Sequence, residues 1–275
     1  MSRWITEEDA GYGAIETWEI EALLSVMHSE DRKAVEAVGQ VIPQIARFIE
    51  ALLPRLREGG RLIYVGAGTS GRLGVLDAAE CLPTFGTTQV IGLIAGGEKA
   101  LRGPVEAAED DEAAARRDLE AIRLSERDTV FGISASGRTP YVLAALRYAR
   151  ERGALTGGFT ANPSTPLEAL VQYPIAVLTG PEVVTGSTRL KAGTATKLVL
   201  NMISTVSFTK LGRVQGGRMI DLQLVNQKLW GRAIRYLQEA GSLSEAEAEA
   251  LLRETGSLRL AMMKVEKAPP SASEP

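Results

Sequence analysis

The 275-residue sequence has a single cysteine, Cys81, and a single histidine, His28. One cysteine cannot form an intrachain disulfide. One cysteine and one histidine are also too few for a CxxC zinc site or a cluster of histidine ligands. A serine–histidine–aspartate triad would have to use His28 alone. Acid–base chemistry must therefore come mainly from aspartate, glutamate, lysine, tyrosine or arginine, and no metal site is expected.

The chain also lacks a strong charge of either sign and a long apolar run. Its formal net charge of −3 argues against a dedicated nucleic-acid-binding protein. The first residues show no basic segment followed by an apolar core, and no stretch approaches the roughly 18 apolar residues that span a bilayer. With 45% hydrophobic and 24% charged residues, the composition is that of a globular protein. We expect a cytoplasmic protein with no membrane or nucleic-acid partner.

Five short apolar runs alternate with longer segments of helical pattern. The runs occupy residues 62–65, 90–94, 129–133, 155–159 and 175–178. Near-continuous apolar strands separated by helices indicate a parallel sheet that is buried on both faces. The predicted fold class is therefore α/β, with a doubly wound five-stranded sheet flanked by helices.

Helical patterns flank this sheet on both sides in the sequence. Apolar residues follow helical spacing between 20 and 52, with one local slip, and Gly59 and Gly60 end the run. Ser244 is a candidate N-cap for a helix near the C-terminus. We predict an N-terminal helical segment (1–58), the sheet domain (59–225), a helical region (226–266) and a polar, disordered tail (267–275).

Two of the predicted strands end in small, hydroxyl-rich turns, GAGTSGR (66–72) and SASGRT (134–139). In open α/β sheets, ligands bind outside the carboxyl ends of the strands, and a helix N-terminus favours an anion. One such turn alone is more often an ordinary strand-to-helix connection, but two in one sheet favour phosphate binding. The candidate phosphate-binding residues are Gly68, Thr69, Ser70, Ser134, Ser136, Gly137, Arg138 and Thr139.

The first turn is neither a Walker A motif nor a dinucleotide fingerprint. No Lys-Ser/Thr pair follows it, and its third glycine is misplaced for GxGxxG. The pattern therefore favours a phosphorylated small molecule over NAD or ATP, and no cofactor is expected.

Two glutamates are the candidate acid–base residues. Glu80 lies in LDAAEC, whose apolar, small neighbours predict partial burial and hence a raised pKa. Glu109 lies in VEAAEDD, and its spacing from Glu80 permits both to reach one pocket. A lone helical glutamate is more commonly a surface charge. A third polar segment, 179–194, could complete the site or only cap a helix and make subunit contacts; its candidates are Glu182, Ser187, Arg189 and Lys191.

Six segments in order resemble the N-acetylmuramic acid 6-phosphate etherase family: GGRLIYVGAGTSGRLGVLDAAEC, GLIAGGEKA, VEAAEDD, GISASGRTPYV, GPEVVTGSTRLKAGTATKLVLNM and NQKL. The resemblance spans residues 29–229. It implies a sugar isomerase (SIS) domain, a flavodoxin-like sheet that binds sugar phosphates, and a homodimer with residues of both chains near the site. The implied reaction removes the D-lactyl ether at C3 of the 6-phosphorylated sugar and releases N-acetylglucosamine 6-phosphate and D-lactate, in peptidoglycan recycling.

The resemblance also implies residue roles. The family's acid corresponds to Glu80 and its second active-site carboxylate to Glu109, with Glu182 a rival for the base. The sequence departs from the family at residues 8–10, which are Glu-Asp-Ala instead of Arg-Asn-Pro, and at Ala107, where the family has glycine. Two other functions stay open: a catalytically silent sugar-phosphate sensor and a sugar-phosphate isomerase.

Overall fold

The computed structural model describes residues 4–267, with side chains to residue 265. Within these limits the chain forms two compact units, a larger one of residues 4–79 and 89–207 and a smaller one of residues 80–88 and 208–267. Of the tail predicted for residues 267–275, all but residue 267 lie outside the described part of the chain. The domain boundaries at 58–59 and 225–226 stay predictions.

The N-terminal part of the larger unit is helical, as the sequence predicts. Short 3₁₀ turns at Ile5–Glu7 and Ile15–Thr17 precede helices α1 (Ile20–Gln40) and α2 (Ile42–Arg57). The two helices are separated by a break at Val41, which the apolar spacing did not predict. The chain leaves α2 through Gly59, whose φ of +83° suits glycine.

The sheet of the larger unit is parallel and five-stranded. Its strands are β1 (Leu62–Gly66), β2 (Val90–Ile94), β3 (Thr129–Ile133), β4 (Leu155–Thr160) and β5 (Tyr173–Ala176), in the order β2-β1-β3-β4-β5. This is the flavodoxin-like order, and it confirms the predicted fold. The last strand begins two residues earlier than predicted, because pairing with β4 sets Tyr173 opposite Gly157.

Helices connect the strands and cover both faces of the sheet. They are α3 (Gly68–Phe85), α4 (Lys99–Arg102), α5 (Glu112–Ala121), α6 (Pro140–Glu151), α7 (Pro166–Leu170) and α8 (Lys191–Lys210). Ile63 and Val130 belong to the core that α5 and α6 cover. On the other face, the rings of Phe48 in α2 and Phe131 in β3 lie 4.9 Å apart. Burial on both faces explains why the strands are apolar throughout.

The smaller unit has its own core. It contains a hairpin of β6 (Val214–Gln215) and β7 (Arg218–Met219) and the helices α9 (Gln227–Gly241), α10 (Glu245–Thr255) and α11 (Leu258–Lys267). Leu237, Leu252 and Leu258 are among its buried residues. The predicted cap is confirmed, since Ser244 forms a complete capping box with Glu247 at the start of α10.

Candidate active site

The two hydroxyl-rich turns lie side by side at the carboxyl edge of the sheet. Gly66, the last residue of β1, is paired with Ile133, the last residue of β3. The chain leaves β1 towards β2 on one side, whereas β3 and the later strands lie on the other, so the turns flank the topological switch point. This is the place where open α/β sheets bind ligands. We call residues 67–72, which include the first turn of α3, the first loop, and residues 134–139 the second loop.

Glycines bring the first loop against the end of its strand. A Cβ on Gly66 would lie 2.6 Å from the backbone nitrogen of Gly71, and a Cβ on Gly71 would lie 2.7 Å from the carbonyl oxygen of Gly66. The first turn of α3, which carries Thr69 and Ser70, therefore begins directly at the strand end. The leading N–H groups of a helix have no partners within it, and those of α3 begin directly after β1.

The second loop gathers three hydroxyl groups. The Ser134 Oγ lies 2.8 Å from the Thr139 Oγ1 and 3.3 Å from the Ser136 Oγ. The backbone N–H of Arg138 donates to the Ser136 Oγ over 3.3 Å. Gly137 has a φ of +66°, and a Cβ there would meet the Thr165 side chain at 2.4 Å. Only glycine fits this turn, which holds the hydroxyls together.

Two buried residues that the sequence did not single out support the second loop. The Asn162 Nδ2 donates to the carbonyl oxygen of Ala135 over 2.9 Å and to the Thr6 Oγ1 over 3.0 Å. The backbone N–H of Thr6 donates in return to the Asn162 Oδ1 over 3.2 Å. The N-terminal segment is thus joined to the second loop, and the Arg138 guanidinium also lies 4.8 Å from the Trp4 ring centre. No sequence pattern links Thr6 and Asn162, which are 156 positions apart.

Glu109 lines a pocket together with the first loop. This pocket has a volume of about 300 Å³, and its walls include Gly68 of the first loop, Glu106 and Glu109. The Arg72 guanidinium donates to the carbonyl oxygen of Gly103 over 3.1 Å, which ties α3 to this wall. Glu109 itself is exposed, so its carboxylate is open to a ligand.

The partial burial predicted for Glu80 is wrong for the single chain. Glu80 lies in the last two turns of α3 and is exposed, whereas the buried carboxylate of this helix is Asp77. Burial raises the pKa of Asp77, although Asn201 and Ser204 on α8 donate to its Oδ1 over 2.6 and 3.1 Å. Apolar composition marked the helix as buried but did not tell which of its carboxylates faces inward.

Glu182 and Lys191, two of the possible site residues, are buried. The Glu182 carboxylate accepts the backbone N–H groups of Lys191 and Ala192 at the start of α8, each over 3.0 Å. Burial raises the pKa of Glu182, against the effect of these two donors. Glu182 thus holds the beginning of α8, and we do not assign it as the base. Ser187 is half-buried in the turn before α8.

The Lys191 side chain forms a buried ion pair with Glu30 of α1. Glu30 also accepts hydrogen bonds from Lys33 and from the Tyr12 hydroxyl, the latter over 2.5 Å. Burial alone would raise the pKa of Glu30, but the hydrogen bonds from Lys191, Lys33 and Tyr12 lower it to about 2. We call Glu30, Lys191 and Glu182 the buried charge cluster. Glu30 had no sequence signal, because its partner lies 161 positions away.

A second pocket borders the first loop. It has a volume of about 320 Å³ and is lined by Thr69, Leu73, Arg189, Gly193, Thr194, Lys197 and Leu198. Arg189 belongs to the polar segment before α8, and Lys197 lies two turns inside that helix. Both cations are exposed. The first loop therefore borders one pocket with two glutamates and one with two basic residues.

Residues 4–267 contain neither a candidate membrane span nor a candidate metal site. None of the helices described combines the length and hydropathy that a membrane span requires. In this part of the chain, no three histidine, cysteine, aspartate or glutamate side chains form a group that could hold a metal ion.

Comparison with protein families and curated sequences identifies close relatives. Family models match residues 44–150 (glucokinase regulatory protein N-terminal SIS domain) and 99–206 (SIS domain). The N-acetylmuramic acid 6-phosphate etherase of Porphyromonas gingivalis is 51% identical over 272 residues, which cover 98% of this chain and 99% of the relative. The protein of the same name from Caldanaerobacter subterraneus is 53% identical over 246 residues, 88% of this chain and 80% of the relative.

Solved structures share the fold at much lower identity. A phosphoheptose isomerase from Francisella tularensis has a TM-score of 0.53 and 16% identity, and the match covers 70% of this chain and 100% of that one. The NanR protein of Vibrio vulnificus, in complex with ManNAc-6P, has a TM-score of 0.52 and 17% identity, with coverage of 72% and 65%. These similarities establish a common architecture.

Proposed function

This chain belongs to the N-acetylmuramic acid 6-phosphate etherase family, and we propose that it converts N-acetylmuramic acid 6-phosphate and water into N-acetylglucosamine 6-phosphate and D-lactate. The observation that carries the proposal is that the first loop, at the switch point beside the second loop, also borders the Glu109 pocket. This carbon–oxygen lyase reaction belongs to amino sugar catabolism in peptidoglycan recycling. A charged phosphate ester does not cross a bilayer, so the proposal includes a cytoplasmic location.

The loops hold the phosphate at the far end of the sugar. Hydroxyls of Ser70, Ser134, Ser136 and Thr139 donate to phosphate oxygens, together with N–H groups at the start of α3. This binding takes no part in the bond changes. It aligns C2 and C3 with the carboxylates, so that the energy of phosphate binding lowers the activation barrier at these carbons.

Glu109 acts as the base of an elimination. In the open-chain sugar, the C2 proton is acidic because it is adjacent to the aldehyde, and the Glu109 carboxylate removes it. The electron pair forms the C2–C3 double bond, and the C3–O bond to lactate breaks. Water then adds to C3, a proton returns to C2, and the sugar product leaves without its lactyl group. Neither a metal nor an organic cofactor is needed for this sequence of steps.

Glu80 protonates the departing lactate oxygen, as the general acid of the elimination. The single chain leaves Glu80 exposed, one helical turn after Leu76, which is 53% exposed. We propose a homodimer in which a second copy covers this face of α3, because contact with a second apolar surface would exclude water from the acid.

Release of D-lactate tests the activity. The protein is incubated with N-acetylmuramic acid 6-phosphate, and D-lactate and N-acetylglucosamine 6-phosphate are measured together. We expect one lactate for each product sugar. Tight binding of the sugar phosphate without lactate would favour the sensor, and interconversion of an aldose and a ketose phosphate would favour the isomerase.

Mixing of two inactive variants tests the dimer. One chain carries Glu80→Gln, and the other carries Ser136→Ala together with Thr139→Ala. If Glu80 acts on the sugar held by the loops of the other copy, mixed dimers contain one intact site, and activity returns after mixing. If each chain forms its own site, every site in the mixed dimer is defective and activity stays absent.

A further inference from the structure

The pocket bordered by Arg189 and Lys197 has the chemistry of an anion site with an apolar wall. Thr69 and Thr194 are among its lining residues, and Leu73 and Leu198 are the apolar residues of its wall. The two cations come from different parts of the fold, since Arg189 precedes α8 and Lys197 lies within it. Its volume, about 320 Å³, is ample for a three-carbon acid.

The two cations of this pocket make no salt bridge with a carboxylate of residues 4–265, and neither is held by another part of the fold as Lys191 and Arg72 are. Lys191 is buried with Glu30, and Arg72 donates to the carbonyl oxygen of Gly103. Burial raises the pKa of Asp77 and the charge of Lys197 acts to lower it, but the Asp77 Oδ1 already accepts hydrogen bonds from two α8 side chains. Arg189 and Lys197 are exposed and keep their donors available to a ligand.

We propose that this pocket binds the carboxylate and methyl of the substrate's lactyl group, and that Arg189 and Lys197 determine specificity for the ether. The inference rests on the proposed function, because only the etherase substrate carries this group. Thr69 joins the two binding functions, since it belongs to the first loop and also lines the pocket. One substrate can therefore place its phosphate in the loops and its lactyl carboxylate beside the cations.

Electrostatics decides between the two pockets beside the first loop. The other pocket is lined by Glu106, Glu109 and Arg72, so its negative charges outnumber its positive charge and would repel a lactyl carboxylate. That pocket suits the C2 proton, which a carboxylate must approach. The basic pocket suits the anionic leaving group, and Leu73 and Leu198 give the lactyl methyl an apolar contact.

The subsite predicts a selective change in binding. Loss of a hydrogen bond to a charged group should weaken binding of N-acetylmuramic acid 6-phosphate by about 10- to 100-fold. N-acetylglucosamine 6-phosphate has the same phosphate but no lactyl group, so its affinity should change less than about twofold. Arg189→Lys, which keeps the positive charge, should restore part of the lost affinity.

Calorimetric titration of both sugars tests the subsite without turnover. Glu80→Gln serves as the background, and Arg189→Gln or Lys197→Gln is added to it. Lys210→Gln, the same change at the other end of α8, is the control and should leave both affinities unchanged. Unchanged affinity for the lactyl sugar, or an equal loss for both sugars, would overturn the proposal.

The titration and the D-lactate assay together separate this proposal from the proposed function. If the wild-type protein releases no D-lactate, the etherase assignment fails. If it releases D-lactate but the Arg189 and Lys197 variants keep their preference for the lactyl sugar, only the subsite fails. A selective loss of that preference, together with lactate release by the wild-type protein, supports both.

Discussion

The buried charge cluster and the exposed glutamates show two uses of charge in this chain. Glu30, Lys191 and Glu182 are buried, and each is paired or hydrogen-bonded within the fold. Glu80 and Glu109 are exposed. A buried charge without partners costs several kcal/mol, so the cluster must be satisfied by the protein itself. Exposed carboxylates carry no such requirement and are free to serve a ligand, which is why we assign the chemistry to them.

The largest effect is expected at Glu80. Glu80→Gln removes the proton donor and should lower kcat about 10⁴-fold, the upper end for a general acid. The melting temperature should change little, because glutamine has the same shape as glutamate and the side chain is exposed within its own chain. The assay is D-lactate release beside a thermal melt, and Glu50→Gln, also exposed and helical, is the control. If Glu80→Gln melts at a clearly lower temperature than the wild type, Glu80 supports the fold and its contrast with the buried charge cluster is wrong.

Lys191 should show the opposite behaviour. Lys191→Met leaves Glu30 buried without its main partner and should lower the free energy of unfolding by about 3 kcal/mol. Denaturant unfolding measures this, with Lys210→Met at the exposed end of α8 as the control. A variant with normal stability but a raised KM would instead give Lys191 a role in substrate binding.

Acid should weaken the cluster in a defined pH range. Because hydrogen bonds lower the pKa of Glu30 to about 2, Glu30 adds stability above its unfolded pKa of about 4.5, and this contribution is lost as the pH falls towards 2. The shift corresponds to about 3 kcal/mol. The free energy of unfolding of Glu30→Gln should depend less steeply on pH between 4.5 and 2 than that of the wild type. Parallel curves for the two proteins would show that the pKa of Glu30 is not lowered in this way.

Two glutamates of one pocket provide a matched pair. Glu109→Gln should lower kcat about 10²-fold, because the amide cannot remove the C2 proton. Glu106→Gln changes the same pocket by the same atoms and should stay within about threefold of the wild type. Exchange of the C2 proton with deuterated water reports the base directly. Equal losses in both variants would mean that the pocket needs negative charge but no specific base.

The smallest effect concerns the turn before Glu109. Ala107 has a φ of +56°, in the left-handed region that favours glycine. Ala107→Gly should relieve this strain and raise the free energy of unfolding by about 0.5–1 kcal/mol, while lactate release stays within about twofold. Denaturant unfolding measures the gain. A loss of stability would show that the methyl group packs usefully there.

The loops of the site could be predicted from the sequence, whereas the burial and contacts of its charged side chains could not. The loops followed from glycine, serine and threonine at strand ends, because the local backbone needs those residues wherever it turns sharply into a helix. The exposure of Glu80 could not be predicted, since Asp77 and Glu80 share the same apolar stretch and only the position of α8 selects Asp77 as the inward one. Glu30 and Asn162 were missed because their partners are distant in the chain.

Sequence alone determined the α/β class, the strand and helix order, the family resemblance and the candidate loops, because these depend on local patterns of apolar, small and hydroxyl-bearing residues. Only the tertiary structure decided which charges are buried, joined Thr6 to the second loop, and placed an acidic and a basic pocket beside the first loop. These features depend on contacts between segments far apart in the chain, and no local periodicity encodes which side chains those contacts bring together.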